Sequence, residues 1–309
     1  MRPEEWIGST TTRFGMDLQG LSHLPDGTLL IDNISRDPIG WLGLEHFESF
    51  GESTELLVKL LDPDQRLPVH FHPNKSFSRA HLSLAHGKTE GWIILEAPPG
   101  AKVGLGFAQS MTRSQVLGLV KHRDSTALLA ALNFIEVKRG DTVFVPAGLP
   151  HAIGKDIFIL ELQEPTDLSV LLEWDGFAVD GEKDGHLGLG FETALEALTL
   201  SPLNELSRRN LISSVNLSGT KKTPFFPSVA DGYFCADLIP GNGTSMAASF
   251  SILLVIEGEG VLSTENSGSV AVSKGDALVY PFASGSYKIR GAHAIACRPP
   301  RPTDSAEAL

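Results

Sequence analysis

Residues 67–73 read LPVHFHP, two histidines one residue apart in a segment of strand character that proline stops. Side chains at i and i+2 of a strand share a face, so His70 and His72 project together while Phe71 faces the other way. Eighteen residues after His72, Glu90 opens the run EGWIILE, with Trp92 and Ile94 on its own face. His151 follows the PAGLP turn, at the mouth of a further strand. Three imidazoles and a carboxylate make a donor set suited to Zn2+, Fe2+, Mn2+, Ni2+ or Co2+, with coordination positions left for water or substrate. Each residue also has an ordinary reading: an HxH pair on the wet face of a sheet, a solvent-facing strand glutamate, an exposed loop histidine. Their coincidence on the strands of one small domain favours the metal site.

Positioning such a set is work for a β framework, and the chain supplies one. Short runs rich in Val, Ile, Leu and Phe recur between glycine and proline punctuation, among them 55–61, 91–97, 141–147, 157–164, 250–258, 276–281 and 287–291. Many short strands with turn signals indicate a sandwich or a barrel. Helical character is concentrated in two stretches. In 112–137, Thr112 or Ser114 can cap a first helix and Asp124 a second, with Leu128, Leu129 and Leu132 at helical spacing. The stretch 190–209 reads as one or two helices broken at Pro202, and it separates two strand-rich halves. A faint repeat relates those halves, RGDTVFVPAGLPHAIG in the first and KGDALVYPFASGSYKIRG in the second. It aligns Gly140 and Asp141 with Gly275 and Asp276, and Pro146 with Pro281, and it points to a pair of related antiparallel barrels. Tyr287 lies near the place His151 would occupy, so chemistry is expected in the first half only.

Composition bounds the function class. The chain has 309 residues and a formal net charge of -12. It shows no basic stripe, which argues against nucleic acid as a partner. The opening MRPEEWIGST has no apolar run of signal-peptide type, and no window approaches 18 uninterrupted apolar residues. No membrane partner and a cytoplasmic location are therefore expected. The two cysteines, Cys235 and Cys297, are expected as free thiols.

The motif HFHP, then Glu90, then GDTVFVPAGLPH resembles the cupin pair of motifs. More narrowly, LLVKLLDPDQRLPVHFHP, GKTEGWIILEA, RGDTVFVPAGLPHAIG and ELQEPTDLS…EWDGF resemble the type I mannose-6-phosphate isomerase family. PEEWIGST is similar to the family's N-terminal Gly-Glu-x-Trp region, and the resemblance runs through most of the chain. It implies a mainly β fold of two cupin-like antiparallel β-barrels (jelly rolls), with a few short helices between strands and between barrels. Residues 1–185 are expected to form the metal-binding barrel, with a helical insert near 112–132. A helical connector over 186–212, a second, degenerate barrel without metal ligands over 213–300 and a flexible tail over 301–309 would complete the chain.

Carried over residue by residue, the resemblance makes His70, His72, Glu90 and His151 the metal ligands, with His70 where the family usually has glutamine. It makes Lys88 the active-site lysine, although a solvated turn lysine is the plainer reading of that residue alone. It implies zinc, with Fe2+, Ni2+, Co2+ or Mn2+ left open by the histidine-rich set, and an aldose–ketose isomerase acting on a sugar or sugar phosphate. In that chemistry the metal polarises the substrate's oxygens and lowers the cost of an enediolate, while a base moves a proton between C1 and C2. Lys88 and Asp167 are the candidate catalytic residues. Asp167 matches the family's aspartate and Ser169 takes the place of its threonine. Leu171 stands where arginine is expected, and leucine neither donates a hydrogen bond nor balances charge. That departure puts the phosphorylated substrate in question; Arg66, Arg79 or Lys75 could supply compensating charge, although nothing in the sequence places them at the site. Two other classes share the donor set: a metal-dependent cupin lyase or dioxygenase, and a non-catalytic sugar-binding or regulatory cupin.

Overall fold

The β-branched and aromatic runs form strands in the structure, a computed structural model that describes residues 4–301. The chain divides into two units, each discontinuous in sequence. One consists mainly of Leu61–Leu160 and Thr166–Ile212, the other of Glu5–Leu60, Glu161–Pro165 and the chain from Ser213 onward.

The first unit holds a five-stranded sheet in the order Val170–Leu171, His70–Phe71, His151–Ile153, Lys102–Phe107, Leu132–Glu136. Its antiparallel registers place Leu171 opposite His70, His70 opposite His151, and His151 opposite Leu105. One face of the sheet therefore carries a cross-strand row of Leu171, His70, His151 and Leu105. In the same unit Glu90–Glu96 runs antiparallel to Asp141–Val145, with Glu90 opposite Val145 and Trp92 opposite Val143. Trp92, Ile94, Val143 and Val145 of that pair share one buried cluster with Val103, Leu105 and Ile153 of the five-stranded sheet. Fully burying each such side chain stabilises the fold by about 1.5–3 kcal/mol. Glu90 shares its face with Trp92 and Ile94, and His151 with Ile153, so both polar groups are carried on the faces that build this core. The opposite face of the five-stranded sheet, with Phe71, Phe107, Ala152 and Val170, packs against Val116, Val120 and Leu128 of two helices.

Those two helices start where the caps predict. Thr112 and Gln115 form a capping box at the start of Arg113–Lys121, and Asp124 accepts from the Ala127 N–H to start Ser125–Ala131. The second helical stretch breaks as expected around Pro202, into Phe191–Ala194, a 3-10 turn Leu195–Ala197, and Glu205–Leu211. Helix Lys75–Leu82 and the N-terminal run Leu30–Arg36, Pro38–Leu42 and Leu44–Phe50 were not expected. At five to eight residues each, these are too short to show a sustained 3.6-residue period. Their punctuation was nonetheless readable: Asp37 accepts from Gly40 N–H ahead of Pro38, and Gly43 and Gly51 end helices with positive φ.

The second unit contains a seven-stranded antiparallel sheet centred on two long strands, Ser251–Thr264 and Tyr287–Arg298. Cys235 and Cys297 lie in this sheet as free, buried thiols, and burial pushes the Cys235 thiol up to about 11. The Gly-Asp repeat is structurally real. Asp141 accepts from Lys138 N–H as Asp276 accepts from Ser273 N–H. Gly140 and Gly275 sit at φ +88° and +98° and donate to the strand carbonyls of Ile94 and Val255. Pro146 and Pro281 each accept from the N–H three residues on, of Leu149 and Ser284.

The expected pair of closed jelly-roll barrels is not formed. The described residues form a mixed β/α chain with three open sheets of six, five and seven strands. The five-stranded sheet ends at the two-residue strand Val170–Leu171 on one side and at Leu132–Glu136 on the other, and no ladder joins these edges. Alternation reports that a strand has a buried face. Whether the hydrogen-bonded ring closes depends on pairing between distant strands, which alternation does not encode. The tail expected to be flexible lies, beyond Arg301, outside the described residues.

Candidate metal centre

His70 and His151 meet as direct cross-strand partners, with Nε2 atoms 3.0 Å apart. His72 leaves the strand just beyond Phe71 and joins them, its ring centroid 5.0 Å from that of His70 and 4.9 Å from that of His151. Its carbonyl accepts from Gly148 N–H at 2.6 Å, which ties it to the PAGLP turn that delivers His151. Glu90 completes the group from its own strand, with Oε2 at 3.0 Å from His72 Nε2 and Oε1 at 3.2 Å from His151 Nε2. Oε1 also accepts from the Trp92 indole N–H at 3.0 Å, which holds the carboxylate in place.

The other ring nitrogens settle the tautomers. Nδ1 of His70, His72 and His151 lies at 2.7, 2.6 and 2.9 Å from the carbonyl oxygens of Pro68, Leu168 and Leu149. A carbonyl only accepts, so each Nδ1 carries the proton and each Nε2 presents a lone pair. Three lone pairs thus converge in a buried space, which is the arrangement that histidine ligands to a metal adopt. A proton shared between His70 and His151 serves two of these atoms and the Lys88 ammonium the third, whereas one divalent cation can serve all three at once. Among the described residues these three histidines form one group whose donor atoms all lie within 4.8 Å of one another. The cluster is suited to a divalent metal ion.

Electrostatics agree with this geometry. Burial, reinforced by the neighbouring imidazoles and Lys88, holds His70 well below the ordinary histidine value, and burial with Lys88 lowers His72 to about 3. Burial by itself would raise the Glu90 carboxyl, but Lys88, His72 and His151 outweigh it and hold it well below the usual range. The buried Lys88 ammonium donates to Glu90 Oε2 at 2.8 Å and to His72 Nε2 at 2.9 Å. At neutral pH the site therefore presents neutral His70 and His72 imidazoles and an ionised carboxylate.

A pH dependence follows. Between pH 6.5 and about 3 the unfolded chain protonates His72 and the folded chain does not. Stability is therefore fully present above pH 6.5 and falls as the pH drops through that window, by about 1.4 kcal/mol per unit from this one group. Glu90 adds nothing to the loss until the pH passes below the ordinary carboxylate value of 4.5. Urea unfolding of the metal-free protein at pH 7.5 and 5.0 should show a loss of about 2 kcal/mol or more at the lower pH. Equal stability at the two values contradicts neutral burial of these rings.

No family model matches the chain. Over 312 aligned residues it is 28% identical to mannose-6-phosphate isomerase of Streptococcus mutans, covering 94% of this chain and 93% of that one. It is also 28% identical over 247 residues to mannose-6-phosphate isomerase ManA of Bacillus subtilis, covering 78% and 73%. Among solved structures, that of mannose 6-phosphate isomerase from Bacillus subtilis superposes with a TM-score of 0.69 at 23% identity, over 96% of this chain and 89% of the other. The apo form of the Salmonella typhimurium protein superposes with 0.72 at 15% identity, over 97% and 91%. The chain is mannose-6-phosphate-isomerase-like in sequence and fold. Among its described residues no helix is long and apolar enough to cross a membrane.

Within this isomerase-like chain, the structure brings His70, His72, Glu90, His151 and Lys88 into one connected cluster. Asp167 sits half-buried on the loop one residue before Leu168, whose carbonyl holds the His72 ring. The Ser169 hydroxyl lies 3.3 Å from His72 Nδ1. Leu171, opposite His70 in the sheet, borders the cluster with an apolar side chain. Arg66 is paired on both arms with the buried Glu173, and Arg79 is exposed on helix Lys75–Leu82. Sequence reasoning missed the three carbonyls that orient the rings. Two were accessible, since His70 and His151 each use the carbonyl two residues back. The third, 96 residues from His72, was not. It also missed Glu173, whose only signal was an acidic residue in an otherwise apolar strand end.

Proposed function

We propose that this chain is a divalent-metal-dependent aldose–ketose isomerase, with zinc as its ion and the mannose 6-phosphate/fructose 6-phosphate pair or a closely related sugar as its substrate. One observation carries the proposal: three Nε2 lone pairs and the Glu90 carboxylate converge beside a buried lysine ammonium. The same residue positions lie within the alignments to proteins named as mannose-6-phosphate isomerases. His70, His72, Glu90 and His151 would hold the ion, which supplies Lewis-acid polarisation of the sugar's carbonyl and hydroxyl oxygens. Lys88 is placed to stabilise negative charge that develops on those oxygens, and Asp167 is the candidate partner in proton transfer. Trp92 and Lys88 donate to the Glu90 carboxylate and hold it in place, so that group is organised before substrate arrives.

The test is solvent hydrogen exchange at C1 and C2 of mannose 6-phosphate, fructose 6-phosphate and the unphosphorylated sugars, with Zn2+, Mn2+ or Co2+ added in turn. Exchange with interconversion supports the isomerase. Its absence across the panel sinks the reading, and O2 consumption or sugar binding without turnover assigns one of the two other classes. Leu171 bears on specificity, because it faces the same side as His70 and offers no charge. In Leu171→Arg, a new charge-assisted hydrogen bond worth about 1.5–3 kcal/mol should raise kcat/KM for phosphorylated over unphosphorylated sugar by roughly tenfold or more. An unchanged ratio places the phosphate elsewhere.

A further inference from the structure

We infer that Glu173 is a positioning residue for His70, acting through a single peptide unit. The inference rests on the reading of His70 as a metal ligand. The Val69 N–H and the Pro68 carbonyl belong to one planar trans peptide group, so they point in opposite directions. Glu173 Oε1 accepts from that N–H at 2.7 Å, and the carbonyl accepts from His70 Nδ1 at 2.7 Å. The Glu173 side chain is 0% exposed and is held on both arms by Arg66, with Nη2 to Oε2 at 2.8 Å. Arg66 also donates to the Leu67 carbonyl at 3.2 Å, and Leu172 N–H donates to the Val69 carbonyl at 2.8 Å. Although burial opposes ionisation, the hydrogen bonds from Arg66, Val69 and Ser125 keep the carboxyl below its usual range.

An ionised acceptor on a peptide N–H draws that bond's electrons toward the carbonyl oxygen at the other end. The oxygen becomes a stronger acceptor for His70 Nδ1–H, which fixes the ring and makes its Nε2 a better donor to a metal. Carboxylates that bond directly to a ligand histidine act in this way; here a peptide group stands between them. His151 supplies an internal control. Its Nδ1 is held by the Leu149 carbonyl, and the same peptide group ends in Pro150, which has no N–H to receive a carboxylate.

The test uses the full chain loaded with Co2+, in which each ligand histidine contributes one exchangeable, paramagnetically shifted Nδ1–H proton resonance. Glu173→Gln keeps an acceptor for Val69 N–H and removes the charge, and Arg66 at 34% exposure can turn to water. One of the three resonances should shift and exchange faster in D2O while the other two stay, and the Co2+ Kd should rise about 10–100-fold. Three unmoved resonances with Kd within about twofold overturn the relay, as do three that move together, which marks general loosening. If Glu173→Gln does not fold, Arg66→Lys keeps the positive charge and surrenders the two-armed pairing; the same single resonance should move by less, and no movement overturns the relay. A wild-type chain that binds no Co2+ overturns the metal reading and the relay together, whereas normal Co2+ binding with silent variants overturns the relay alone.

Discussion

His151→Ala should lose its metal. A four-ligand zinc site in a small domain is worth about 10–16 kcal/mol, or roughly 3 kcal/mol for each ligand. Losing one imidazole therefore weakens binding by about two orders of magnitude. His151 is the sharpest choice because it bridges the set, with its Nε2 at 3.0 Å from that of His70 and 3.2 Å from Glu90 Oε1. The measurement is metal content and Kd by competition with a chromophoric chelator, alongside unfolding with and without added Zn2+. Wild type should gain stability with Zn2+, and His151→Ala should gain little at the same concentration. A variant that keeps a full equivalent of tightly held metal moves the site away from this cluster. Sugar interconversion, if catalysed as proposed, falls with the metal.

Lys88→Met should separate binding from catalysis. Its ammonium touches His72 Nε2 and Glu90 Oε2, so it lies against two of the proposed ligands without being one. A His72 Nε2 lone pair that accepts from Lys88 is not simultaneously free for a cation, because neutral imidazole has one such pair. Metal Kd in Lys88→Met should therefore be no weaker than in wild type. The turnover number should fall by about 10²-fold or more, the scale on which one positioned acid–base or electrostatic group contributes. The metal-free variant should also be less stable than metal-free wild type, because the buried Glu90 carboxylate loses its nearest cation. Activity within about threefold of wild type, with metal bound, removes Lys88 from the chemistry.

Much of the site was legible because its parts follow short-range rules. The i, i+2 spacing puts His70 and His72 together, the Gly-Asp turn and PAGLP deliver His151, and Glu90 begins a strand whose inward face is marked by Trp92 and Ile94. The helix caps at Thr112 and Asp124 were equally readable, since a cap is a hydrogen bond across two or three residues. The N-terminal helices were not, because each is shorter than the window in which helical periodicity can be told from chance. The barrels failed for a different reason. Alternation states that a strand has an inside, and it is silent on whether the last strand of a sheet finds the first.

By itself, then, the sequence determined the local devices: which residues turn, cap, alternate and share a face, and which side chains have the chemistry to bind a metal. All of these depend on neighbours a few residues away, where chain geometry leaves few choices. Only the tertiary structure decided that the Leu168 carbonyl meets the His72 ring, that Leu171 lies across the sheet from His70, and that Glu173 reaches back to the peptide before it. Those contacts join residues about a hundred positions apart. They depend on which strands pair and in what register, and that is set by how the whole core buries its apolar surface.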